Sequence, residues 1–335
     1  MRWRARYDEA AARLGSKVEA RWIVEEAASG AWPLLLDEPV SERAQRYFDQ
    51  MVARRAAGEP LQYVLGRWGF RQLDLLVNRQ VLIPRPETEQ VVELALRELA
   101  PLTLVASRSS PGASTSSPGA SRRAPGASTS APGASRGAPG ASTSAPGASR
   151  GAPGGSRRAP VVVDLGTGSG AIALSLAAEG RPGEVWATDV SAEALAIARA
   201  NLVGLGGSRA ARVRLVEGSW WDALPASLRG QVSLVVSNPP YVTTAEMASL
   251  PAVVAEWEPA LALHGGPTGL DAIEIIVSEA PRWLARPGAL VVELAPHQAG
   301  AARSLAQRAG FDDIRVEQDL AGRERALIAR LRGSP

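Results

Sequence analysis

From Val161 onward the chain alternates short apolar runs with helical segments, and this alternation constrains the fold more than any other feature. Strands separated by helices pair in parallel, because a parallel connection needs a long crossover and a helix supplies it. The pattern therefore predicts a doubly wound α/β sheet. One of the last two strands, which an Ala-Gly turn joins, is expected to be antiparallel. The predicted strands are 161–165, 185–188, 213–216, 234–236, 290–294, 314–317 and 326–331, and the predicted helices are 171–178, 192–202 and 272–284.

A glycine-rich loop lies where the first strand of this sheet gives way to the first helix. It reads Gly166-Thr167-Gly168-Ser169-Gly170, and such glycines let a ligand approach the backbone at a helix N-terminus. The spacing differs from the Gly-x-Gly-x-x-Gly of folds that bind a pyrophosphate. Asp189 ends the second strand, where a carboxylate can accept from both ribose hydroxyls, and Asp164 suits a nearby cationic amino-acid group. A nucleoside with an amino acid and no pyrophosphate indicates S-adenosyl-L-methionine, and hence a methyltransferase.

The fourth strand runs into the turn Asn238-Pro239-Pro240-Tyr241, where we expect the chemistry to occur. Two consecutive prolines lack an N–H and restrict φ, so they hold the turn rigid. The Asn238 side-chain oxygen and the Pro239 carbonyl are then free acceptors, with the Tyr241 ring beside them. This set suits a planar –NH2 group, because each of the two oxygens can accept a hydrogen bond from one of its N–H groups. A proline turn after a buried strand can be purely structural, and the combination with the glycine loop and Asp189 makes it specific.

The first part of the chain has a different pattern. Residues 1–57 carry apolar side chains at helical spacing. Residues 61–83 are predicted to be extended, with Gly66 and Gly69 as turn points, and 87–99 to be helical. The predicted division of the chain is a helical N-terminal substrate-recognition domain (1–57), a β-hairpin with a connecting helix (58–102), a disordered insert (103–160) and a catalytic domain (161–335).

Residues 111–160 form a seven-residue repeat marked by proline. Proline and glycine forbid a helix there, and no apolar residue larger than alanine is present to build a core, so disorder is predicted. We interpret the repeat as a neutral expansion in a loop, with a basic tether for an acidic partner as the alternative.

Charge and composition exclude several classes of function. The chain has 37 basic and 34 acidic residues, but seven arginines and no acidic residue lie in 103–160, so the rest carries a net charge of −4. Nucleic-acid binding is therefore not expected. There is no cysteine, and His264 and His297 are too few and too far apart to suggest a metal site. With no membrane-length apolar run and no apolar run after the basic residues 1–7, we expect a cytoplasmic monomer without a membrane partner.

At this point the sequence resembles a known family, the HemK-type glutamine methyltransferases that modify peptide chain release factors. The resemblance covers nearly everything except residues 103–160. The stretch Val-Leu-Ile-Pro-Arg-Pro-Glu-Thr-Glu at 81–89 is the most diagnostic part, because methyltransferases in general lack it. Further signatures are Pro-Leu-Gln-Tyr at 60–63 with Gly66 and Phe70, Glu-Pro-Ala-Leu-Ala-Leu at 258–263, and Asp-Leu-Ala-Gly-Arg-Glu-Arg at 319–325.

The resemblance implies a Rossmann-like class I methyltransferase whose small helical N-terminal domain helps to grip the release factor. It implies that the loop 166–170 and Asp189 bind S-adenosyl-L-methionine, and that Trp220 packs near the adenine, although Trp221 duplicates the aromatic ring. Asn238 is implied to touch both cofactor and substrate, and residues 238–241 together to grip the glutamine.

The predicted reaction is methyl transfer to the side-chain amide nitrogen (N5) of the glutamine in the Gly-Gly-Gln loop of a release factor. If the Asn238 side-chain oxygen and the Pro239 carbonyl accept hydrogen bonds from the two N–H groups of the amide, they would hold the amide and raise the electron density on its nitrogen. The alternatives are a glutamine of a ribosomal protein, an exocyclic base amine of DNA or RNA, and a non-catalytic binding module that uses the repeat as a tether. Glu293 is a further candidate to reach the pocket, and Arg85 and Glu87 are candidates to order a loop over it.

Overall fold

The structure is a computed structural model that describes residues 1–107 and 159–333. Its α-helices are α1 Trp3–Leu14, α2 Lys17–Ala28, α3 Trp32–Leu35, α4 Glu42–Ala56, α5 Leu61–Leu65, α6 Pro86–Ser107, α7 Ala171–Glu179, α8 Ala192–Leu205, α9 Gly207–Ala210, α10 Thr244–Met247, α11 Ala252–Ala255, α12 Asp271–Trp283 and α13 Ala299–Arg308. Its strands are β1 Arg67–Phe70, β2 Leu73–Leu76, β3 Val161–Leu165, β4 Glu184–Asp189, β5 Val213–Glu217, β6 Val232–Ser237, β7 Leu284–Glu293, β8 Asp313–Gln318 and β9 Glu324–Leu331.

Strands β3 to β9 form one sheet in the order β5-β4-β3-β6-β7-β9-β8. Counted from β3 as the first strand, this order is 3-2-1-4-5-7-6. The five strands from β3 to β7 pair in parallel, and β9 runs antiparallel to both of its neighbours, β7 and β8. The prediction of a doubly wound sheet with an antiparallel strand near its end is confirmed.

The strands are apolar on both faces because helices cover both sides of the sheet. Along β6, Leu234 and Val236 belong to a core that includes side chains of α6 and α7, whereas Val235 belongs to a core that includes α12 and α13. Successive side chains of a strand point to opposite faces, so a continuous apolar run fills both cores at once. This explains why the central strands read as unbroken β-branched runs.

Helices α1, α2, α4 and α5 form a separate small core at the N-terminal end of the chain. Trp3, Ile23, Phe48 and Met51 are buried there, and the rings of Trp3 and Phe48 meet edge to face with centroids 5.8 Å apart. Strands β1 and β2 pair as an antiparallel hairpin that follows this core. Arg71, at the hairpin turn, forms a two-pronged ion pair at 2.7 and 2.6 Å with Glu179 of α7, a helix that packs on the seven-stranded sheet.

The structure corrects three expectations. Residues 61–65, predicted to be extended, form α5, because Leu61 and Val64 pack at helical spacing into the N-terminal core, and Gly69 lies inside β1 rather than at a turn. Helix α6 continues to Ser107, past the predicted boundary at 102, and the remainder of the predicted insert up to residue 158 lies outside the described residues. Helix α13 was not predicted, although its buried Ala299, Ala302 and Ala306 follow a helical period.

Candidate active site

The glycine-rich loop and the Asn-Pro-Pro-Tyr turn meet at one edge of the sheet. They follow β3 and β6, which are adjacent parallel strands, so both begin at the same carboxyl edge. The chain proceeds from β3 to β4 on one side and places β6 on the other, and this change of direction opens a crevice where ligands of such sheets bind. The Ser237 hydroxyl donates to the Leu165 carbonyl at 2.6 Å and ties the two strand ends together.

The glycine loop bends back over the end of β4. The amides of Gly166 and Thr167 both donate to the Thr188 carbonyl, at 2.9 and 2.8 Å. The amide of Gly168 donates to the Asp189 carboxylate at 2.8 Å from a φ of +55°, in the left-handed region that favours glycine. A Cβ on Gly168 would have no heavy atom within 4 Å, so the backbone there faces open space. The backbone at Gly168 is therefore open to a ligand, and the binding of a cofactor by this loop stays a prediction.

Asp164 lies behind the loop rather than in the crevice. Its side chain is fully buried, and one oxygen accepts from the Thr167 hydroxyl at 2.6 Å and from the Ala173 amide at 3.1 Å. The other oxygen, Oδ1, is buried and has no partner among the described residues. Burial raises the pKa of Asp164 to about 7. In this arrangement Asp164 shapes the loop, and it does not line the crevice where we expected it beside a cationic group.

Asp189 stands at the end of β4 and lines the crevice. One carboxylate oxygen accepts from Gly168 and the other from the amide of Ser191 at 2.9 Å. Burial raises the pKa of this carboxyl above its ordinary value, against the opposing effect of these hydrogen bonds. Each oxygen has a second lone pair, so the two backbone donors orient the carboxylate and leave acceptor capacity for a diol.

The structure separates the roles of the two adjacent tryptophans. The Trp220 ring lines the crevice, and a Cβ on Gly166 would lie 3.3 Å from it. Trp220 has a φ of +43°, which is rare and strained for a bulky residue and is often found at functional sites. Trp221 points into the core, stacks on Trp283 with centroids 5.6 Å apart, and donates from Nε1 to the Ile275 carbonyl at 3.2 Å.

The turn of residues 238–241 holds its polar groups in a defined arrangement. Asn238 uses its amide Nδ2 as a donor to the Thr88 hydroxyl at 3.1 Å. Within residues 1–107 and 159–333, no donor contacts Asn238 Oδ1 or the Pro239 carbonyl, which agrees with the two free acceptors predicted from sequence. Tyr241 donates its hydroxyl to Glu293 at 3.2 Å, and burial together with this carboxylate raises the pKa of Tyr241 above its ordinary range.

Glu293 contacts Tyr241 of this turn but does not line the crevice. It is fully buried at the end of β7, accepts from Thr88 at 2.7 Å and from Tyr241, and burial raises its pKa to about 7. The sequence analysis gave Glu293 as a candidate to reach the pocket. In the structure Glu293 is connected to Asn238 only through the Thr88 hydroxyl. Thr88 was not singled out by itself, although it lies within the diagnostic stretch 81–89.

Two loops complete the walls of the crevice, and Glu258 joins them. Its side chain is almost fully buried, accepts from the Ile83 amide at 3.1 Å and forms an ion pair with Arg85. Arg85 lines the crevice, while Glu87 pairs with Arg323 at 3.2 Å on the outer side. Both residues therefore take part in ion pairs, Glu87 from the first turn of α6, and a role in ordering a loop over the crevice stays a prediction. The sequence did not mark Glu258 individually, because its partners are far away along the chain.

The enclosed space has a volume of about 490 Å³. This volume falls in the range of small-molecule sites and has room for a nucleoside bearing an amino-acid chain. The groups around it are an aromatic ring (Trp220), a carboxylate with acceptor capacity (Asp189) and an exposed glycine backbone. This donor and acceptor set fits S-adenosyl-L-methionine. Among the described residues, no group of histidine and acidic side chains could hold a metal ion.

Two family models match this chain. Residues 156–265 match the methyltransferase small domain, and residues 8–66 match the PrmC N-terminal domain. Among solved structures, the catalytic domain of hMettl16 in complex with the MAT2A 3′UTR hairpin 6 is similar, with a TM-score of 0.50, 12% identity, and coverage of 85% of this chain and 82% of that one. At this identity the likeness concerns the fold alone. Sheet order and site together define a class I methyltransferase, whose cofactor is S-adenosyl-L-methionine.

The sequence relatives narrow this class. The release factor glutamine methyltransferase of Bordetella pertussis is 37% identical over 312 residues, covering 92% of this chain and 93% of the relative. That of Moorella thermoacetica is 35% identical over 318 residues, covering 93% and 90%. The chain belongs to the family of release factor glutamine methyltransferases. In the described ranges, no helix is both long enough and apolar enough to cross a membrane.

Proposed function

We propose that this protein transfers a methyl group from S-adenosyl-L-methionine to the side-chain amide nitrogen of the glutamine in the Gly-Gly-Gln loop of peptide chain release factors. The observation that carries the proposal is the pair of unpartnered acceptors, Asn238 Oδ1 and the Pro239 carbonyl, in a turn whose Asn238 and Pro240 line a crevice that fits the cofactor. Membership of the family supports release factors as the substrate.

The cofactor, when bound, supplies an electrophilic methyl group on a sulfonium. The residues that would hold it are Gly166, Thr167, Gly168, Ser169 and Gly170 through the loop, Asp189 at the ribose hydroxyls, Trp220 at the adenine and Asn238 beside the reacting end. The open backbone at Gly168 and the fixed orientation of the Asp189 carboxylate support this assignment.

The turn would act on the substrate by holding a planar amide. An amide nitrogen is a weak nucleophile because its lone pair is delocalised into the carbonyl. If Asn238 Oδ1 and the Pro239 carbonyl each accept one N–H of that group, the nitrogen is fixed in place and gains electron density. Pro240 keeps the turn rigid, and Glu293 holds Tyr241, whose ring packs against the core beside the turn and would stack on the amide only if the substrate reaches it.

The bond changes balance without a protein base at the nitrogen. With the cofactor bound, the amide nitrogen would form a bond to the methyl carbon while the bond from that carbon to sulfur would break, leaving the electron pair of that bond on sulfur. The methylated nitrogen is briefly cationic and acidic, so it releases one proton to water. Asn238 and Pro239 therefore need only orient and polarise the amide.

The rest of the chain is proposed to recognise the release factor and hold it over the crevice. Residues 1–57 form the recognition part, 58–107 the hairpin and connecting helix, 108–160 an insert without a catalytic role, and 161–335 the catalytic part. The enzyme is proposed to work as a cytoplasmic monomer without nucleic acid or membrane as a partner. The net charge of −4 outside residues 103–160 supports the exclusion of nucleic acid.

Mass spectrometry of a purified release factor, incubated with this protein and S-adenosyl-L-methionine, tests the proposal. One added methyl group on the glutamine of the Gly-Gly-Gln tripeptide is expected, and a factor carrying alanine at that position should remain unmodified. An unmodified wild-type factor, under conditions where the protein binds the cofactor, would contradict the proposal. The same assay on ribosomal proteins, DNA and RNA then tests the other planar nitrogens that this turn could hold.

A further inference from the structure

Two buried side chains outside the Asn-Pro-Pro-Tyr turn hold two of its members. Thr88 of α6 and Glu293 at the end of β7 are 4% and 0% exposed. Asn238 Nδ2 donates to Thr88 Oγ1 at 3.1 Å, and that hydroxyl donates to Glu293 Oε2 at 2.7 Å. Tyr241 donates to the other oxygen of Glu293 at 3.2 Å. The Glu293 carboxylate therefore holds Tyr241 directly and Asn238 through Thr88. These are two of the four residues of the turn that we assign to the substrate amide.

The count of protons in this chain decides which way the Asn238 amide points. An ionised carboxylate only accepts, so both hydroxyls must donate to Glu293. The Thr88 hydroxyl has one proton, and once it is directed to Glu293 only a lone pair remains for Asn238. The amide must then present its –NH2 group to Thr88, which leaves Oδ1 free as an acceptor for a substrate N–H. The reverse orientation would place a donor where the substrate also has donors.

We propose that Thr88 and Glu293 are positioning residues for methyl transfer, because the carboxylate, acting through the threonine hydroxyl, holds the Asn238 amide with Oδ1 available to the substrate. This inference rests on the proposed function in assigning that oxygen to the glutamine amide. Neither side chain needs to touch the reacting atoms. Both contribute by excluding the non-productive orientation of the amide.

The orientation of the Asn238 amide depends on whether Glu293 is ionised. A protonated Glu293 can donate to Thr88, whose own proton then becomes available to Asn238 Oδ1, so the amide is no longer held in one orientation. The groups that face Glu293 are Thr88 and Glu87 from α6, Tyr241 from the turn and Arg325 from β9. Arg325 also forms an ion pair with Asp319 at 3.6 Å, and this carboxylate partly neutralises the charge that Glu293 meets. Burial outweighs these contacts and raises the pKa of Glu293 to about 7.

Steady-state kinetics on the whole protein with a release factor test this role. Thr88→Val keeps the side-chain shape but removes the hydroxyl, and kcat should fall by about 10- to 100-fold, the usual cost of losing an outer hydrogen-bond partner of a functional group. Thr88→Ser restores the hydroxyl and should recover most of that loss. Glu293→Gln should lower kcat in the same way, whereas Glu279→Gln, which alters a surface ion pair on α12, should have no effect. The dissociation constant for S-adenosylhomocysteine should stay at the wild-type value in all four variants.

The pH profile separates positioning from a purely structural role. The wild-type kcat should decrease below about pH 7 with the loss of one negative charge, and Glu293→Gln should lack this decrease. Equal activity in Thr88→Val and Thr88→Ser, or an unchanged acid limb in Glu293→Gln, would overturn the inference.

A measurement without turnover keeps the inference distinct from the proposed function. The side-chain –NH2 resonances of Asn238, assigned with an Asn238→Asp variant, should shift with pH in the wild-type protein and lose this titration in Glu293→Gln. If the release factor is not methylated but this titration is present, the proposed substrate fails and the positioning network stands. If methylation occurs and the titration is absent, the network fails and the proposed function stands.

Discussion

The side chain of Asn201 pairs with the backbone of Leu76 as a second peptide group would. Its Oδ1 accepts from the Leu76 amide at 2.7 Å, and its Nδ2 donates to the Leu76 carbonyl at 3.1 Å. The same Nδ2 donates to the Ser169 carbonyl of the glycine loop at 2.9 Å. Asn201 lies on α8 and is 7% exposed, and its bond to Ser169 is buried, whereas its two bonds to Leu76 are only partly buried because Leu76 is 46% exposed. One amide therefore connects the hairpin, which follows the N-terminal core, to the loop that we assign to the cofactor.

Asn201→Ala should weaken both regions at once. It leaves the Leu76 amide and the Ser169 carbonyl without their partners, and we expect a loss of about 2 to 3 kcal/mol in the free energy of unfolding because buried polar groups would be unsatisfied. Urea denaturation measures that loss, and calorimetry should find weaker binding of S-adenosyl-L-methionine. Gln72→Ala, at the exposed hairpin turn, is the control and should change neither quantity. Unaltered cofactor affinity in Asn201→Ala would show that the loop holds its shape without this link.

Trp220 and Trp221 should respond to substitution in opposite ways. Trp220→Ala should weaken cofactor binding by about 10- to 100-fold, since stacking on a nucleobase contributes roughly 1–3 kcal/mol, and the loss of stability should be small because the Trp220 ring is only partly buried. Trp221→Ala should instead destabilise the fold by about 3 to 5 kcal/mol through a buried cavity, because that ring packs on Trp283. Calorimetry and thermal unfolding of both variants make the comparison. A larger loss of cofactor affinity in Trp221→Ala than in Trp220→Ala, at a temperature where both are folded, would reverse the assignment.

Asn238→Ala should abolish most of the activity while leaving the cofactor site in place. The variant removes one of the two acceptors for the substrate amide, and we expect kcat to fall by about 100- to 1000-fold, as for other single groups that stabilise a transition state. The dissociation constant for S-adenosylhomocysteine should change far less, because the glycine loop, Asp189 and Trp220 remain. Asn238→Asp, which keeps the shape and an acceptor but adds a charge, provides the matched comparison. Near-normal turnover of Asn238→Ala would remove Asn238 from the mechanism.

The free energy of unfolding should depend on pH because the Asp164 carboxyl is buried. Its pKa of about 7 in the folded state lies above the ordinary value of 3.8, so the folded protein binds the extra proton between these values. The resulting stabilisation is fully present below pH 3.8 and is lost as the pH rises through about 7. Asp164→Asn does not titrate, so its stability relative to the wild type should rise by roughly 2–4 kcal/mol between pH 5 and pH 8. Urea unfolding at the two pH values measures this, and a constant difference would mean that Asp164 is ionised throughout.

The local pattern of the sequence was sufficient for the strands and the two motifs. A parallel strand covered on both faces is apolar at most of its positions, so apolar runs such as 161–163 and 234–236 are recognisable without their neighbours. The glycine loop and the proline turn follow those strands directly, and their backbone restrictions are properties of a few consecutive residues. Residues 61–65 were predicted wrongly because their helix packs against α2 and α4 in the N-terminal core, and the pattern of these five residues alone does not show that packing.

The sequence by itself therefore determined the succession of the seven strands of the large sheet along the chain, the glycine loop after β3 and the rigid turn after β6. Only the tertiary structure decided which of two adjacent tryptophans faces the crevice, that Asp164 lies behind the loop, and that Thr88 and Glu293 reach Asn238 and Tyr241. Thr88 bonds to partners 150 and 205 positions away along the chain. Backbone propensities act over a few residues, whereas the donors and acceptors of a buried network are brought together only when distant elements pack, and that packing selects one orientation for each side chain.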